Sequence, residues 1–100
     1  MKKFEFEIGA KNGLHARPSG LLVKEASNFK SDIKIELQKG AGVKEANAKS
    51  LFSIMGLAAK KDDILHITVS GEDEEEAAEK MQMFLKEKFS EESEEVVENT

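Results

Sequence analysis

The 100-residue chain contains no cysteine, so disulfide bonds, thiolate metal sites and cysteine nucleophiles are all excluded. No stretch approaches the roughly 18 consecutive apolar residues that a membrane-spanning helix needs. Near the N-terminus, Glu5 and Glu7 interrupt the apolar run that a signal peptide would require. With 39% apolar residues the chain can bury one small core but not a second. We therefore expect a single cytoplasmic domain.

Basic residues are scarce in the last third of the chain. Residues 1–70 contain twelve Lys or Arg and eight Asp or Glu, whereas residues 71–100 contain three and twelve. An acidic final third repels phosphate backbones and argues against a nucleic-acid-binding module. The mildly basic first part is suited to an acidic surface on a protein partner. We expect neither a nucleic acid nor a membrane as partner.

The apolar pattern predicts the element order β-α-β-β-α-β-α. Strands alternate apolar and polar residues, and helices repeat apolar residues at a spacing of three or four. Because the strands alternate, one sheet face should be solvated and the other covered by all three helices. The predicted class is α+β, an open-faced β-sandwich with a four-stranded antiparallel sheet. The strands are expected at residues 4–8, 33–37, 43–47 and 64–69, and the helices at about 16–29, 50–58 and 74–88.

The sequence divides into a domain and a tail. Residues 1–89 contain all the predicted elements and form the expected domain. Residues 90–100 contain five glutamates and no basic residue. Such a segment has too little apolar surface to pack, so we expect an acidic, disordered C-terminal tail.

One cluster of residues carries recognisable chemistry. His15, Arg17 and Pro18 lie within four positions at a strand-to-helix junction, and they include the only arginine and the only proline. The start of a helix, here Ala16 to Pro18, presents unpaired N–H groups and a partial positive charge. The guanidinium of Arg17 has a planar fork that matches phosphate oxygens. The cluster therefore predicts an anion site.

An imidazole at such a site suggests phosphoryl transfer. A neutral His15 can attack phosphorus, and the helix N–H groups and Arg17 would hold the resulting dianion. Phosphoryl transfer depends mainly on positioning and charge stabilisation, so a carrier needs no catalytic base of its own. The alternative is an ordinary loop or capping histidine beside an exposed arginine. The spacing alone leaves both interpretations open, because anion sites at helix starts are common.

The segment Gly13-Leu14-His15-Ala16-Arg17-Pro18 resembles the active-site signature of the HPr family. These proteins are the histidine phosphocarriers of the phosphoenolpyruvate-dependent sugar phosphotransferase system. The resemblance covers about residues 2–88 and is carried further by three segments: Ala48-Lys49-Ser50-Leu51-Phe52, Ile54-Met55-Gly56-Leu57 and Ile67-Thr68-Val69-Ser70-Gly71-Glu72-Asp73. It implies a monomeric phosphoryl-transfer intermediate rather than a turnover enzyme, without cofactor or metal.

The resemblance also implies a role for particular residues. His15 would accept the phosphoryl group from enzyme I on Nδ1 and pass it to a sugar-specific enzyme IIA, with Arg17 as the active-site arginine. Ser50 falls where many members carry a serine phosphorylated by an ATP-dependent HPr kinase/phosphorylase. The expected docking patch for partners is apolar and consists of Leu51, Phe52 and Met55.

Alternatives remain open for these residues. Ser50 is also a plausible helix N-cap, and Ser53 is a second phosphorylatable serine nearby. Alternatively, Phe52 packs in the core instead of docking a partner. At the level of function, the chain is alternatively a regulatory module that acts mainly through Ser50 and a transcriptional regulator. A weaker alternative is a ferredoxin-like ligand domain, which shares the β-α-β-β-α-β order but leaves the His15 cluster unexplained.

Three other side chains and one loop complete the predictions. His66 should face solvent on the last strand, because it alternates with the apolar residues there. Lys24 and Lys49 either form a basic rim around His15 or are merely solvated. The reversal at residues 39–42 is expected to be flexible, and it looks about four residues longer than is usual in the family.

Overall fold

A computed structural model of the chain describes residues 1–9 and 16–89. It confirms the predicted order β-α-β-β-α-β-α. No helix within the described ranges is long and apolar enough to cross a membrane. The predicted tail, residues 90–100, lies outside the described residues. The elements are β1 Lys2–Glu7, α1 Ala16–Ala26, β2 Asp32–Lys39, β3 Gly42–Asn47, α2 Leu51–Gly56, β4 Ile64–Ser70 and α3 Glu74–Phe89.

The four strands form one antiparallel sheet in the order β1-β4-β2-β3. Alternate residues of the two central strands are buried and the others face solvent, which is the pattern of a sheet covered on one side only. All three helices contribute buried residues to the core on the covered side. The predicted open-faced α+β architecture is therefore confirmed. The largest buried side chains include Ile33, Ile35 and Leu37 of β2, Leu65 and Ile67 of β4, Leu22 of α1, Ile54 of α2, and Met81 and Leu85 of α3.

Asp73 joins the loop between α1 and β2 to the start of α3. Its carboxylate accepts hydrogen bonds from the backbone N–H groups of Lys30 and Ser31, each at 2.9 Å, and from the Ser31 hydroxyl. The hydrogen bond from the Ser31 hydroxyl is the main cause that lowers the pKa of Asp73 to about 2. We call this network the clasp; its residues are Lys30, Ser31, Gly71 and Asp73.

Gly71 allows the two sides of the clasp to approach closely. Its φ is +153°, and a Cβ at this position would lie 2.7 Å from the Cα of Ser31. Only glycine adopts such a conformation without strain, and only a missing side chain leaves this space. Just beyond, Glu74 accepts a hydrogen bond from the Gly71 N–H at 3.1 Å and pairs with the terminal amine of Met1. This end of the molecule is therefore fixed by side chains.

Backbone hydrogen bonds fix the opposite end. Ile8 donates its N–H to the carbonyl of Asp63 at 2.9 Å and accepts the N–H of Asp62 at 2.7 Å. The Gly9 N–H donates to the carbonyl of Phe89, the last residue of α3, at 2.9 Å. The chain that leads from β1 toward His15 is thus held by the loop after α2 and by the end of α3.

The structure corrects three of the predicted boundaries. Helix α1 ends at Ala26 rather than near Phe29, because the N–H groups of Asn28 and Phe29 bond to carbonyls only three residues back, at 3.1 and 3.2 Å, and tighten the last turn. Helix α2 ends at Gly56, two residues early. The reversal predicted at residues 39–42 is shorter, because Lys39 pairs with Gly42 and only Gly40 and Ala41 form the turn; its flexibility stays a prediction.

Candidate functional site

The predicted phosphoryl acceptor directly precedes α1. His15 lies in residues 10–15, outside the described residues, and Ala16 is the first residue of the helix. Arg17 and Pro18 follow in the first turn, with Pro18 buried. The side chains of Ala16 and Arg17 are outside the description as well. Phosphoryl acceptance by His15 and phosphate binding by Arg17 stay predictions.

The first turn of α1 is suited to an anion. The first N–H groups of any helix lack intrahelical partners, and a proline there sacrifices no hydrogen bond. This turn contains no acidic residue, whereas the first turn of α3 contains Glu74, Glu75 and Glu76. The carboxylates of α3 compensate its helix dipole, but α1 has no such compensation of its own. The hydroxyl of Ser19, one residue further, is buried and has no hydrogen-bond partner among the residues that the structure describes.

Helix α2 presents an apolar patch to solvent. Phe52 is 93% exposed, Leu51 42% and Met55 39%, while Ile54 of the same helix is fully buried. Because Ile54 faces the core, Phe52 points outward, and the alternative that Phe52 packs in the core is wrong. Exposed aromatic side chains of this kind are frequent anchors at protein interfaces. The use of the patch for docking remains a prediction.

Ser50 is the N-cap of α2. Its backbone is extended, with φ −124° and ψ 117°, and its Oγ accepts the N–H of Ser53 at 3.3 Å. The capping interpretation is therefore confirmed in geometry. Both serines are half-buried. Capping and phosphorylation do not exclude each other, and phosphorylation of Ser50 stays a prediction.

The remaining polar candidates lie outside the first turn of α1. The ammonium of Lys49 donates to the carbonyl of Phe29 at 2.8 Å, so Lys49 is bonded rather than merely solvated, and its contribution to a rim around His15 stays a prediction. Lys24 is exposed in the last turn of the same helix. His66 faces solvent as predicted, and its Nδ1 lies 3.1 Å from Oε2 of Glu5.

No group of three His, Cys, Asp or Glu side chains within residues 1–9 and 16–89 is placed to hold a metal ion. The acidic residues of the open sheet face, such as Glu5 and Glu36, flank His66 as cross-strand neighbours. Acidic residues also compensate the charge of neighbouring lysines. For example, Glu45 accepts a hydrogen bond from Lys34, and this bond raises the pKa of Lys34.

Comparisons with known proteins agree with this architecture. The sequence model of the family described as "PTS HPr component phosphorylation site" matches residues 2–87. The phosphocarrier protein HPr of Haemophilus influenzae is 47% identical over 75 residues, which cover 75% of this chain and 84% of that protein. HPr of Mycoplasma genitalium is 43% identical over 77 residues, covering 77% and 84%.

A solved structure of the histidine-containing phosphocarrier protein from Mycoplasma superposes with a TM-score of 0.80 at 32% identity. The superposition covers 89% of this chain and 97% of that structure. The match to the family model spans both the segment around His15 and the helix that follows Ser50. On this evidence the chain belongs to the HPr family, the phosphocarriers of the phosphotransferase system.

Proposed function

We propose that His15 accepts a phosphoryl group from enzyme I and donates it to a sugar-specific enzyme IIA. The observation that carries this proposal is the position of His15, directly before a helix whose first turn has Arg17 and no acidic residue. Family membership supports the general role of phosphocarrier. The particular donor, acceptor and atom are the proposal.

Transfer proceeds by attack of the neutral Nδ1 of His15 on phosphorus. The new N–P bond forms as the bond from phosphorus to the donor breaks, and the imidazole proton is then held at Nε2 or released. Negative charge on the phosphoryl oxygens is stabilised by Arg17 and by the N–H groups that open α1. Transfer to enzyme IIA reverses these steps and regenerates the chain. It is therefore an intermediate of a relay rather than an enzyme with a substrate of its own.

Both partners must dock near the reacting imidazole, and the apolar patch on α2 supports such docking. Because Phe52 is almost completely exposed, the isolated domain lacks the stabilisation that burial of this ring would contribute. A partner that covers Leu51, Phe52 and Met55 recovers that burial. A surface of this kind suits repeated, transient complexes, because an aromatic anchor gives affinity without a large interface.

The test is phosphorylation by enzyme I with phosphoenolpyruvate. We expect one acid-labile phosphate per chain, and none after His15→Ala. The matched control is His66→Ala, since the chain contains only these two histidines and His66 is exposed and remote from α1. This control should be labelled as fully as the unmodified chain. Labelling that survives in His15→Ala would refute the assignment.

A second proposed role is regulation through Ser50 by an HPr kinase/phosphorylase. Ser50 caps α2 immediately before the apolar patch, so a phosphate there places negative charge beside Leu51 and Phe52. That charge disfavours an acidic partner, while the helix start tolerates it. Phosphorylation would thus change the choice of partner, for example toward a transcriptional regulator, without unfolding the domain.

The regulatory role has its own test. Incubation with the kinase and ATP should label the chain and Ser53→Ala equally, and should leave Ser50→Ala unlabelled. Loss of labelling in Ser53→Ala instead would assign the phosphorylation site to Ser53. If ATP labels Ser50 but no enzyme IIA accepts phosphate from His15, the chain is a regulatory module rather than a carrier.

A further inference from the structure

Strand β1 is one edge of the sheet. The order β1-β4-β2-β3 places β1 at one end and β3 at the other. Among residues 1–9 and 16–89, no strand pairs with the outer side of either edge. The backbone N–H and C=O groups on the outer side of an edge strand can pair with a further strand. Which strand fits is decided by the side chains that would lie opposite each other.

A groove runs along β1, between this strand and α3. Its lining includes no residue of β4, so it opens on the side of β1 that faces away from the sheet. The groove has a volume of about 680 Å³, and its apolar residues include Phe4 and Phe6, both half-buried, and Met83, which is 63% exposed. A strand added to β1 would therefore cover apolar surface as well as pair its backbone.

The charged residues of β1 alternate with the phenylalanines. Lys3 and Glu5 are exposed on the open face of the sheet, where Glu5 lies opposite His66 of β4. Phe4, between them, lies on the covered face and packs against the core. Lys3 has no ion pair among the residues that the structure describes. One edge thus presents a cation and an anion on the same face, two positions apart.

Two copies of β1 match when they pair antiparallel about a two-fold axis at Phe4. Such an axis is perpendicular to the sheet and keeps every side chain on its own face. In this register Lys3 lies opposite Glu5 of the second copy, and Glu5 opposite Lys3 of the second copy. Phe4 lies opposite its own counterpart, and Lys2 opposite Phe6, whose ring its alkyl stem can cover. Both charged pairs attract, and the central pair is aromatic.

The neighbouring registers and the other edge lack this match. Centring the pairing of β1 on Lys3 or on Glu5 places a charge opposite the same charge of the second copy, which is unfavourable. The two central registers of β3 place Lys44 opposite Lys44 or Glu45 opposite Glu45. Self-association of β3 is therefore disfavoured, whereas that of β1 is favoured in one register.

We propose that two copies of the chain associate through β1, so that their sheets join edge to edge into one eight-stranded sheet. The second copy is the partner because the charges of β1 complement those of a second β1 in the reversed direction. Only residues 2–6 of each copy pair, so the interface is small, and we expect a Kd on the order of 0.1 to 1 mM. The monomer that the family resemblance implies is then the form at low concentration.

The association leaves the other surfaces of the molecule open. Helix α2 contacts β3, which lies at the opposite edge of the sheet from β1. The apolar patch of Leu51, Phe52 and Met55 is therefore uncovered in both copies of the dimer. The proposal does not depend on phosphorylation of His15.

The experiment is sedimentation equilibrium of the full chain between about 20 µM and 2 mM. The mean mass should rise from 11.1 kDa toward twice that value. Lys3→Glu and Glu5→Lys each turn both charged pairs into like-charge pairs, so each should raise the Kd at least about tenfold. Lys44→Glu and Glu45→Lys make the same charge changes on β3 and should leave the Kd within about a factor of two.

A mixture of the two β1 variants tests the register. When Lys3→Glu pairs with Glu5→Lys, both cross-strand pairs are again of opposite charge. The equimolar mixture should therefore dimerise with a Kd within about threefold of that of the unmodified chain, although neither variant dimerises alone. A mixture that remains monomeric would overturn the proposal. Equal weakening by the β3 variants would do the same, because it would show that only net charge matters.

The unmodified chain also supplies a test that needs no variant. The backbone amide signals of β1 should shift in NMR spectra as the concentration rises, while those of β3 stay unchanged. A mass of 11.1 kDa at every concentration, with constant β1 signals, would refute the association and would also be the result if another segment covered this edge. Shifts confined to β3 would assign the interface to the other edge and refute the proposal as well.

Discussion

The two ends of the domain are held together by different kinds of interaction. At the clasp, Asp73 and Glu74 bind backbone and side-chain groups that lie far apart in the sequence. At the end toward His15, the described contacts are backbone hydrogen bonds of Ile8 and Gly9. The comparison teaches that side-chain hydrogen bonds between distant segments hold the clasp, whereas backbone hydrogen bonds hold the chain that leads toward His15.

Strain follows a different distribution. At the clasp, the unusual backbone conformation falls on Gly71, where it is tolerated. In the loop that contacts Ile8, positive φ angles fall on Ala58 at 51° and Asp62 at 76°. Non-glycine residues pay a conformational cost there. Substitutions in this loop can therefore increase the free energy of unfolding. At the clasp, the strained position is already occupied by glycine.

The largest expected effect on stability comes from adding a side chain at Gly71 of the clasp. Gly71→Ala introduces a Cβ 2.7 Å from the Cα of Ser31 and a strained φ of +153°. We expect the free energy of unfolding to fall by about 2 to 4 kcal/mol, measured by urea denaturation. The matched control is Gly20→Ala within α1, where a Cβ meets nothing within 4 Å; it should stabilise by about 0.5 to 1 kcal/mol. Equal effects of the two substitutions would contradict this account of the clasp.

The second largest effect on stability is expected to depend on pH. Asp73→Asn removes a carboxylate whose pKa is lowered to about 2, chiefly by the Ser31 hydroxyl. A lowered pKa in the folded state stabilises above the ordinary value of 3.8, and the contribution disappears as the pH falls through 2. The variant should therefore be less stable than the unmodified chain at pH 7 and approach it near pH 2.

The control for this prediction is Asp32→Asn, because Asp32 is an exposed residue at the start of β2. Its stability should follow that of the unmodified chain at every pH. Urea denaturation from pH 2 to pH 7 supplies the comparison. A constant difference between Asp73→Asn and the unmodified chain over this range would argue against the clasp as a source of acid sensitivity.

A smaller effect of opposite sign is expected in the loop after α2. Ala58→Gly relieves a φ of 51° at the C-terminal side of the helix, a position where glycine is preferred. The gain should be about 0.5 to 1 kcal/mol in the free energy of unfolding, after the entropy that glycine adds to the unfolded chain. Ala59→Gly, at a buried neighbouring position, serves as the control and should destabilise. Destabilisation by Ala58→Gly would show that the strain is compensated by contacts.

The smallest effect on stability belongs to the apolar patch. Phe52→Ala should change the free energy of unfolding by less than about 0.5 kcal/mol, because the ring is 93% exposed. If the patch docks partners, the same variant should lower the rate of phosphoryl transfer from enzyme I several-fold. Met83→Ala, at a residue of α3 that is 63% exposed, is the control and should change neither quantity. An unaffected rate in Phe52→Ala would remove Phe52 from the proposed interface.

The sequence predicts the elements well because each has a clear local signal. Alternation identified β2 and β4, and helical spacing of Ala77, Met81 and Leu85 identified α3. The predicted ends of helices are less accurate, because the spacing of apolar residues does not show where the helical hydrogen bonds stop. Thus the helical spacing of apolar residues extends α1 to Phe29, which is indeed buried, although the helix itself ends at Ala26.

Contacts between distant segments escaped prediction for a physical reason. Carboxylates in the first turn of a helix, such as Glu75 and Glu76 of α3, favour its dipole without any distant partner. Asp73 instead binds Lys30 and Ser31, which are more than 40 residues away along the chain. The same holds for Lys49, whose bond to the Phe29 carbonyl depends on how the segment after β3 meets the segment after α1. For the site, the motif at His15 was readable from sequence, but the exposure of Phe52 required the orientation of α2.

The most direct test of the central claim identifies the phosphorylated ring. The chain is phosphorylated with enzyme I and phosphoenolpyruvate, and NMR spectra of both histidines are recorded before and after. We predict that the ring signals of His15 shift in proportion to the phosphate incorporated, while those of His66 stay unchanged. A phosphorylated His66, or incorporation without any change at His15, would contradict the account.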